Sequence, residues 1–247
     1  MKKAVFIFMC FISISLFAQN KLESIMVEPP KFTAESANTE IKGQSIHAFI
    51  EREIVLPAKL NVYEDEGIVG IQFTVKPDGT LSNYTVINNV SKTCNDAVIQ
   101  CLKRTNGLWS PGKVNGKDAS MEKVIFVKFD LIGNASHREI ALRQLKNGFR
   151  FYLSAMEIKN NPLLTDKRKQ VKTERKMKRS ISMFNQCMKY EPGDPSALFW
   201  QAKAYEEMGN NVQSKVKLDN YLEMVNAGAI EKQIIADETL AYITIKK

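Results

Sequence analysis

"GIVGIQFTVKPDGTLSNYTVIN", Gly67 to Asn88, is the stretch that decides the fold of the first half of this chain. Val69, Ile71, Phe73 and Val75 alternate with Gly70, Gln72, Thr74 and Lys76, the period-two pattern of a strand with one buried face. Pro77-Asp78-Gly79-Thr80 is turn chemistry: Pro presets φ and Gly allows φ > 0. Leu81 to Asn88 then supplies a return strand, so the stretch predicts a β-hairpin.

Downstream, Cys94, Ala97, Val98, Cys101 and Leu102 form one apolar helical stripe, expected to lie across the inner face of the hairpin. Asn106-Gly107 stops that helix. "NGLWSPGKVNGK", Asn106 to Lys117, contains Gly107-x-x-x-x-Gly112-Lys113, most of a phosphate-binding loop. Such a loop wants Ser or Thr after the Lys and a helix behind it, to present its N-terminus to the phosphates. Here Val114 follows, then the tight-turn pair Asn115-Gly116, so a bend between strands is expected and a nucleotide is not. From Met121 to Leu131, Ile125, Val127, Phe129 and Leu131 share one face, with Glu122, Lys128 and Asp130 on the other. Val124 and Phe126 break the polar face, which predicts that its first half is covered or open to a partner. Upstream, Ile46, Phe49 and Ile50 give a short helix within Gln44 to Glu53, ended by Pro57.

The ends of the chain differ in character. Met1-Lys2-Lys3 precedes an apolar run from Ala4 to Ala18, which reads as a cleaved export signal over residues 1–18 and places the protein in the periplasm or cell envelope. Without Lys2 and Lys3 the chain has 33 basic and 27 acidic side chains, a net charge of +6. Residues 20–133 carry 13 basic and 14 acidic groups and residues 134–247 carry 20 and 13, so the second half holds the excess and two domains are implied. Cys94 and Cys101 lie seven apart on one helix, about 10.5 Å along its axis, too far to pair. With Cys187 they are expected as three buried thiols.

The succession "FTAE", "GQSIHAFIEREIVLP", "GIVGIQFTVKPDGTLSNYTVIN", "CNDAVIQCLKRTNGLWSPGKVNGK" and "VIFVKFDL" resembles the C-terminal domain of TonB, the periplasmic energy-coupling protein, over about residues 27–132. Its most specific piece is Trp109-x-Pro111-Gly112 followed by Asn115-Gly116-Lys117. The resemblance implies that this piece joins the helix to the last strand, with Trp109 in the core. The family's Tyr-Pro after the first helix is Leu56-Pro57 here, so a receptor contact through that Tyr is not carried over. The resemblance further implies that the sheet recruits a strand from an envelope protein, with a TonB-dependent outer-membrane receptor as the candidate. Glu122, Val124, Phe126 and Lys128 are the expected partner-binding residues. The competing expectation is a core strand whose edge the following domain caps. Energy coupling also needs a long spacer, and the eight residues Gln19 to Met26 reach at most about 29 Å.

Beyond Gly133-Asn134 the spacing turns helical, with Leu142, Leu145, Phe149, Leu153 and Met156 in one stripe. Ser180, Ile181, Phe184, Cys187, Met188 and Pro192, followed by Leu198, Ala202, Tyr205 and Gly209, resemble a tetratricopeptide repeat, and Ser214 and Leu218 recur 34 residues after Ser180 and Phe184. Residues 138–245 are therefore expected as a tetratricopeptide-like domain, with 138–158 and Ile230 to Ile243 as degenerate capping helices. Trp200 and Tyr205 are assigned to its binding face. Asp166 to Arg179 holds eight Lys or Arg against Asp166 and Glu174, read as a solvated helix face able to touch an acidic partner or anionic lipid, not nucleic acid.

No catalytic constellation stands out. His47 and His137 fall in different elements without metal-ligand spacing, and Gly-x-Ser-x-Gly, His-Glu-x-x-His and Cys-x-x-Cys are absent. The expectation is an α+β fold: a small antiparallel sheet with packed helices, then an all-α region. It is expected to work as a protein-binding module, or as an envelope adaptor whose helices bind the partner, without enzymatic activity, cofactor or metal.

Overall fold

A computed structural model describes residues 26–33, 45–56, 64–227 and 240–245. In chain order the elements are β1 (Val27–Glu28), β2 (Lys31–Phe32), α1 (Ile46–Glu53), β3 (Gly67–Val75), β4 (Leu81–Asn88), α2 (Lys92–Lys103), β5 (Trp109–Ser110), β6 (Gly112–Val114), β7 (Lys117–Ala119) and β8 (Met121–Leu131). Then come α3 (His137–Lys159), α4 (Asp166–Tyr190), α5 (Pro195–Glu207), α6 (Asn211–Ala227) and a last strand, β9 (Leu240–Ile245). The fold is α+β. Residues 1–18 and Pro57 lie outside the described residues.

The main sheet runs β4-β3-β8-β9. The alternation of β3 and β8 turns Val69, Ile71, Phe73 and Val75 onto the same side as Ile125, Val127, Phe129 and Leu131, all buried. α1 and α2 cover that side with Phe49, Ile50, Val98 and Leu102. Both helices are started by serine: Ser45 Oγ accepts from Ala48 N–H at 3.2 Å and Ser91 Oγ from Cys94 N–H at 3.1 Å. Cys94, Cys101 and Cys187 are free and buried. Burial pushes the Cys94 thiol up to about 11 and the Cys187 thiol to about 12.

"NGLWSPGKVNGK" is a connector. Trp109 is 4% exposed, lies edge-on to Phe73 and Phe32, and donates its Nε1–H to Thr105 Oγ1 at 2.9 Å. Gly79 is a glycine for two reasons: its φ is +76°, and a Cβ there would meet the Trp109 carbonyl oxygen at 2.4 Å. Asn115 and Gly116 both have positive φ, as the tight turn between β6 and β7 requires. Lys113 lies in β6 opposite Glu28, in a strand pair and not before a helix.

The helical region needs two corrections to its sequence reading. First, Leu142 and Leu153 are 49% and 46% exposed, while Ala141, Gly148 and Ala155 are buried. These small residues recur every seven positions and let α3 approach α4 closely. A Cβ on Gly148 would lie 2.5 Å from the Phe184 ring, and Ser180 Oγ donates to the Gly148 carbonyl at 2.7 Å. The large side chains suggest the apolar stripe, but the tight packing uses the small ones. Second, of the helix expected over Ile230 to Ile243, residues 230–239 lie outside the described residues and the part from Leu240 onward is a strand. β9 lies parallel to β8 and places Ala241, Ile243 and Ile245 in the core of the sheet. α3 to α6 are thus the crossover between two strands of one sheet. The basic run forms the N-terminal half of α4, a single 25-residue helix. It faces solvent apart from Thr173 and Met177, with Lys176 and Arg179 over the Phe151 ring at 5.3 and 5.9 Å.

Sheet and helices meet at the start of β3 and the end of α4. Lys189, 8% exposed, donates from Nζ to the Glu64 carbonyl at 2.5 Å, and burial holds its pKa below the usual lysine value. A Cβ on Gly67 would lie 2.9 Å from the Lys189 carbonyl oxygen, so the close approach requires glycine. Nearby, His137 opens α3 inside a capping box formed by Ser136 and Glu139. Burial, then Lys128, keeps the His137 pKa below its ordinary value.

Candidate functional site

β8 meets different neighbours along its two sides. On one side it pairs antiparallel with β3 along its length, from Gly67 opposite Phe129 to Val75 opposite Met121. On the other it meets β9 only from Phe126 opposite Leu240 to Leu131 opposite Ile245. Met121 to Ile125 therefore has no strand on that side among the described residues. The backbone groups of such a stretch are a template for another chain.

The outward face of this stretch is mixed in chemistry. Gln72 Nε2 donates to Glu122 Oε2 at 2.5 Å across the β3–β8 pair. Val124 is half-buried. The Phe126 ring covers Gly70, where a Cβ would lie 2.8 Å from a ring carbon and 3.0 Å from Ile87. Lys128 pairs with Asp130 at 3.0 Å. Of the four residues expected to bind a partner, Glu122 and Val124 fall on the open stretch. Phe126 and Lys128 fall where β9 is already paired, so backbone pairing there requires β9 to leave.

The structural residues of the motif converge as the connector demands, with Trp109 buried and Gly112 buried against Met121 and the Glu28 carbonyl. Trp200 and Tyr205 are half-buried within the helical packing. Trp200 stacks edge-on with Phe149, Tyr152 and Phe199 at 4.8, 5.1 and 5.4 Å. Tyr205 packs beside Ala155, Met177 and Ile181. On the far side of the sheet, a polar groove of about 640 Å³ runs between Ile87 to Lys92 and the helices, lined also by Asn185, Lys189 and Lys217. Burial lowers the Lys217 pKa.

Sequence reasoning missed β9, the element that divides β8 into covered and open parts. The usable signal was the alternation of Ala241, Ile243 and Ile245 in "LAYITI".

The family model for the Gram-negative bacterial TonB protein C-terminal matches residues 53–131, about a third of the chain. The match opens at the end of α1, takes in both β3 and β8, and stops before the helical crossover and β9. No curated protein and no solved structure matches the chain. Among the described residues, no helix is long and apolar enough to cross a membrane.

Proposed function

We propose that the sheet is a protein-binding module of the TonB kind in the bacterial envelope, and that it takes an extended segment of a partner along Met121 to Ile125, in line with β9. The candidate partner is an outer-membrane receptor of the TonB-dependent class. The observation that carries this reading is that, among the described residues, β8 is paired on its second side only from Phe126 to Leu131, by β9, an extended segment from outside the family-matched region.

Magnitudes set the character of the interaction. Two or three backbone hydrogen bonds at about 0.5 to 1.5 kcal/mol each supply roughly 1 to 4 kcal/mol, short of the roughly 8 kcal/mol of a micromolar complex. Side-chain contacts with Val124 and Glu122 add to this. Displacing β9 would open more edge but expose Ile243 and Ile245, at about 1.5 to 3 kcal/mol each. A short-lived contact on the open stretch is the outcome these terms favour.

A second reading makes the helices the recognition element of an envelope adaptor. It draws on α6, which leaves Val212, Val216, Leu222 and Val225 exposed at 74, 44, 47 and 46%. In-cell photo-crosslinking from Val124, with Val216 as the parallel probe, separates the two. Adducts at Val124 with an extended segment of an outer-membrane receptor are expected. Adducts confined to Val216 would move recognition to the helices.

A further inference from the structure

Glu66 immediately precedes β3, Asp130 is next to last in β8, and His137 begins α3. Glu66 is far in sequence from Asp130 and His137, yet each of the three brings one ligand-type atom to within 4.8 Å of the other two. Glu66 and His137 are 3% and 5% exposed. The carboxylate of Glu66 accepts from Leu131 N–H at 3.3 Å on Oε1 and from Asn134 Nδ2 at 3.0 Å on Oε2, and each oxygen keeps a further lone pair. Asp130 turns Oδ2 to Lys128 and leaves Oδ1 facing His137.

His137 is the second observation. Neither ring nitrogen makes a hydrogen bond of good geometry, although the side chain is almost wholly buried and the Phe129 carbonyl lies near enough to favour the charged ring. Nε2 points toward Asp130 Oδ1 at 3.6 Å, beyond hydrogen-bond distance, and Tyr190 holds the ring edge-on at 5.2 Å. Buried polar atoms in folded proteins almost always find a partner, and a cation held between His137 and the two carboxylates would supply one.

We propose that Glu66, Asp130 and His137 bind one divalent transition-metal ion, zinc foremost, at the junction of sheet and helices. One imidazole and two carboxylates suit zinc, whereas calcium and magnesium prefer all-oxygen shells. Bonds of about 2.1 Å in a tetrahedron separate ligand atoms by about 3.4 Å, close to the 3.6 Å between His137 Nε2 and Asp130 Oδ1 and within reach of the 4.8 Å that bounds the cluster. A cavity of about 360 Å³, lined by Asn134, Arg143 and Tyr190 among others, adjoins the cluster at Glu66. The ion would tie the first turn of α3 to both central strands. Lys128 and Arg143 oppose it electrostatically, which favours modest affinity over a permanent structural metal. This site does not depend on the strand-addition reading.

The test is calorimetric titration of the chelator-stripped full chain with Zn²⁺, followed by Co²⁺ absorption spectroscopy. One equivalent of Zn²⁺ is expected, with binding weakened at least tenfold in D130N and in H137Q. E66Q provides a nearly isosteric third variant, and circular dichroism checks that each is folded. Absence of Zn²⁺ binding by the wild-type chain would overturn the proposal, as would unchanged binding in folded D130N and E66Q. A sulfur-to-cobalt charge-transfer band that disappears in C187S would also overturn it, by assigning the metal to a thiol.

Discussion

The two halves of β8 share one strand, one alternation and one neighbour in β3, yet among the described residues β9 completes Phe126 to Leu131 and no strand completes Met121 to Ile125. The difference shows that edge protection is a property of the topology and not of the strand. The crossover of α3 to α6 returns the chain to the sheet at Leu240, so β9 reaches the C-terminal part of β8 and the described residues leave the N-terminal part open. Natural sheets cover or charge such edges, and here both halves carry two charged side chains, Glu122 and Lys123 in one and Lys128 and Asp130 in the other, so charge alone does not separate them.

The comparison breaks most severely if β9 is removed. Ile243→Asp places a carboxylate in a site 6% exposed, and a loss of about 3 to 5 kcal/mol in urea unfolding is expected. A loss below about 1 kcal/mol would mean that β9 is only loosely attached.

Thiol chemistry sharpens the comparison from beneath the sheet. Burial raises the Cys101 pKa and pushes that of Cys187 to about 12, so both stay protonated and unreactive at pH 8, and alkylation is expected to rise with pH or with opening. In Ile243→Asp, Cys101 should be alkylated at least tenfold faster than in the wild type, because α1 and α2 share the core that β9 completes. Cys187, in the helical clusters, should change less. Equal acceleration of both would show that sheet and helices open as one unit.

The smallest stability effect is expected at the open half. Val124→Lys adds an edge charge where the side chain is only half-buried, and should change stability by less than about 1 kcal/mol while abolishing crosslinking to a partner strand from a probe placed at Glu122. Undiminished crosslinking in that variant would exclude Met121 to Ile125 as the docking stretch.

Most of the sheet unit was legible because its signals are local. Val69 to Val75, the turn at Gly79, the stripe from Cys94 to Leu102 and the Trp109 connector each announce themselves within a dozen residues. β9 was not, because six alternating residues following helical sequence fit either period, and their pairing partner lies more than a hundred positions upstream. The packing face of α3 was misread for a different reason: Ala141, Gly148 and Ala155 carry the close contact while Leu142 and Leu153 draw the eye. The Glu66, Asp130 and His137 cluster has no sequence spacing to find, since three separate elements bring it together. Glu122 and Val124 were legible as candidates, but their separation from Phe126 and Lys128 depends on β9.

Amide hydrogen exchange along β8 in the isolated chain tests the central claim most directly. Among the amides that face away from β3, those within Phe126 to Leu131 are predicted to exchange at least about a hundredfold more slowly than those within Met121 to Ile125, because only the former donate across to β9. Equal protection along the whole strand would contradict the account, since no open edge would remain for a partner to join.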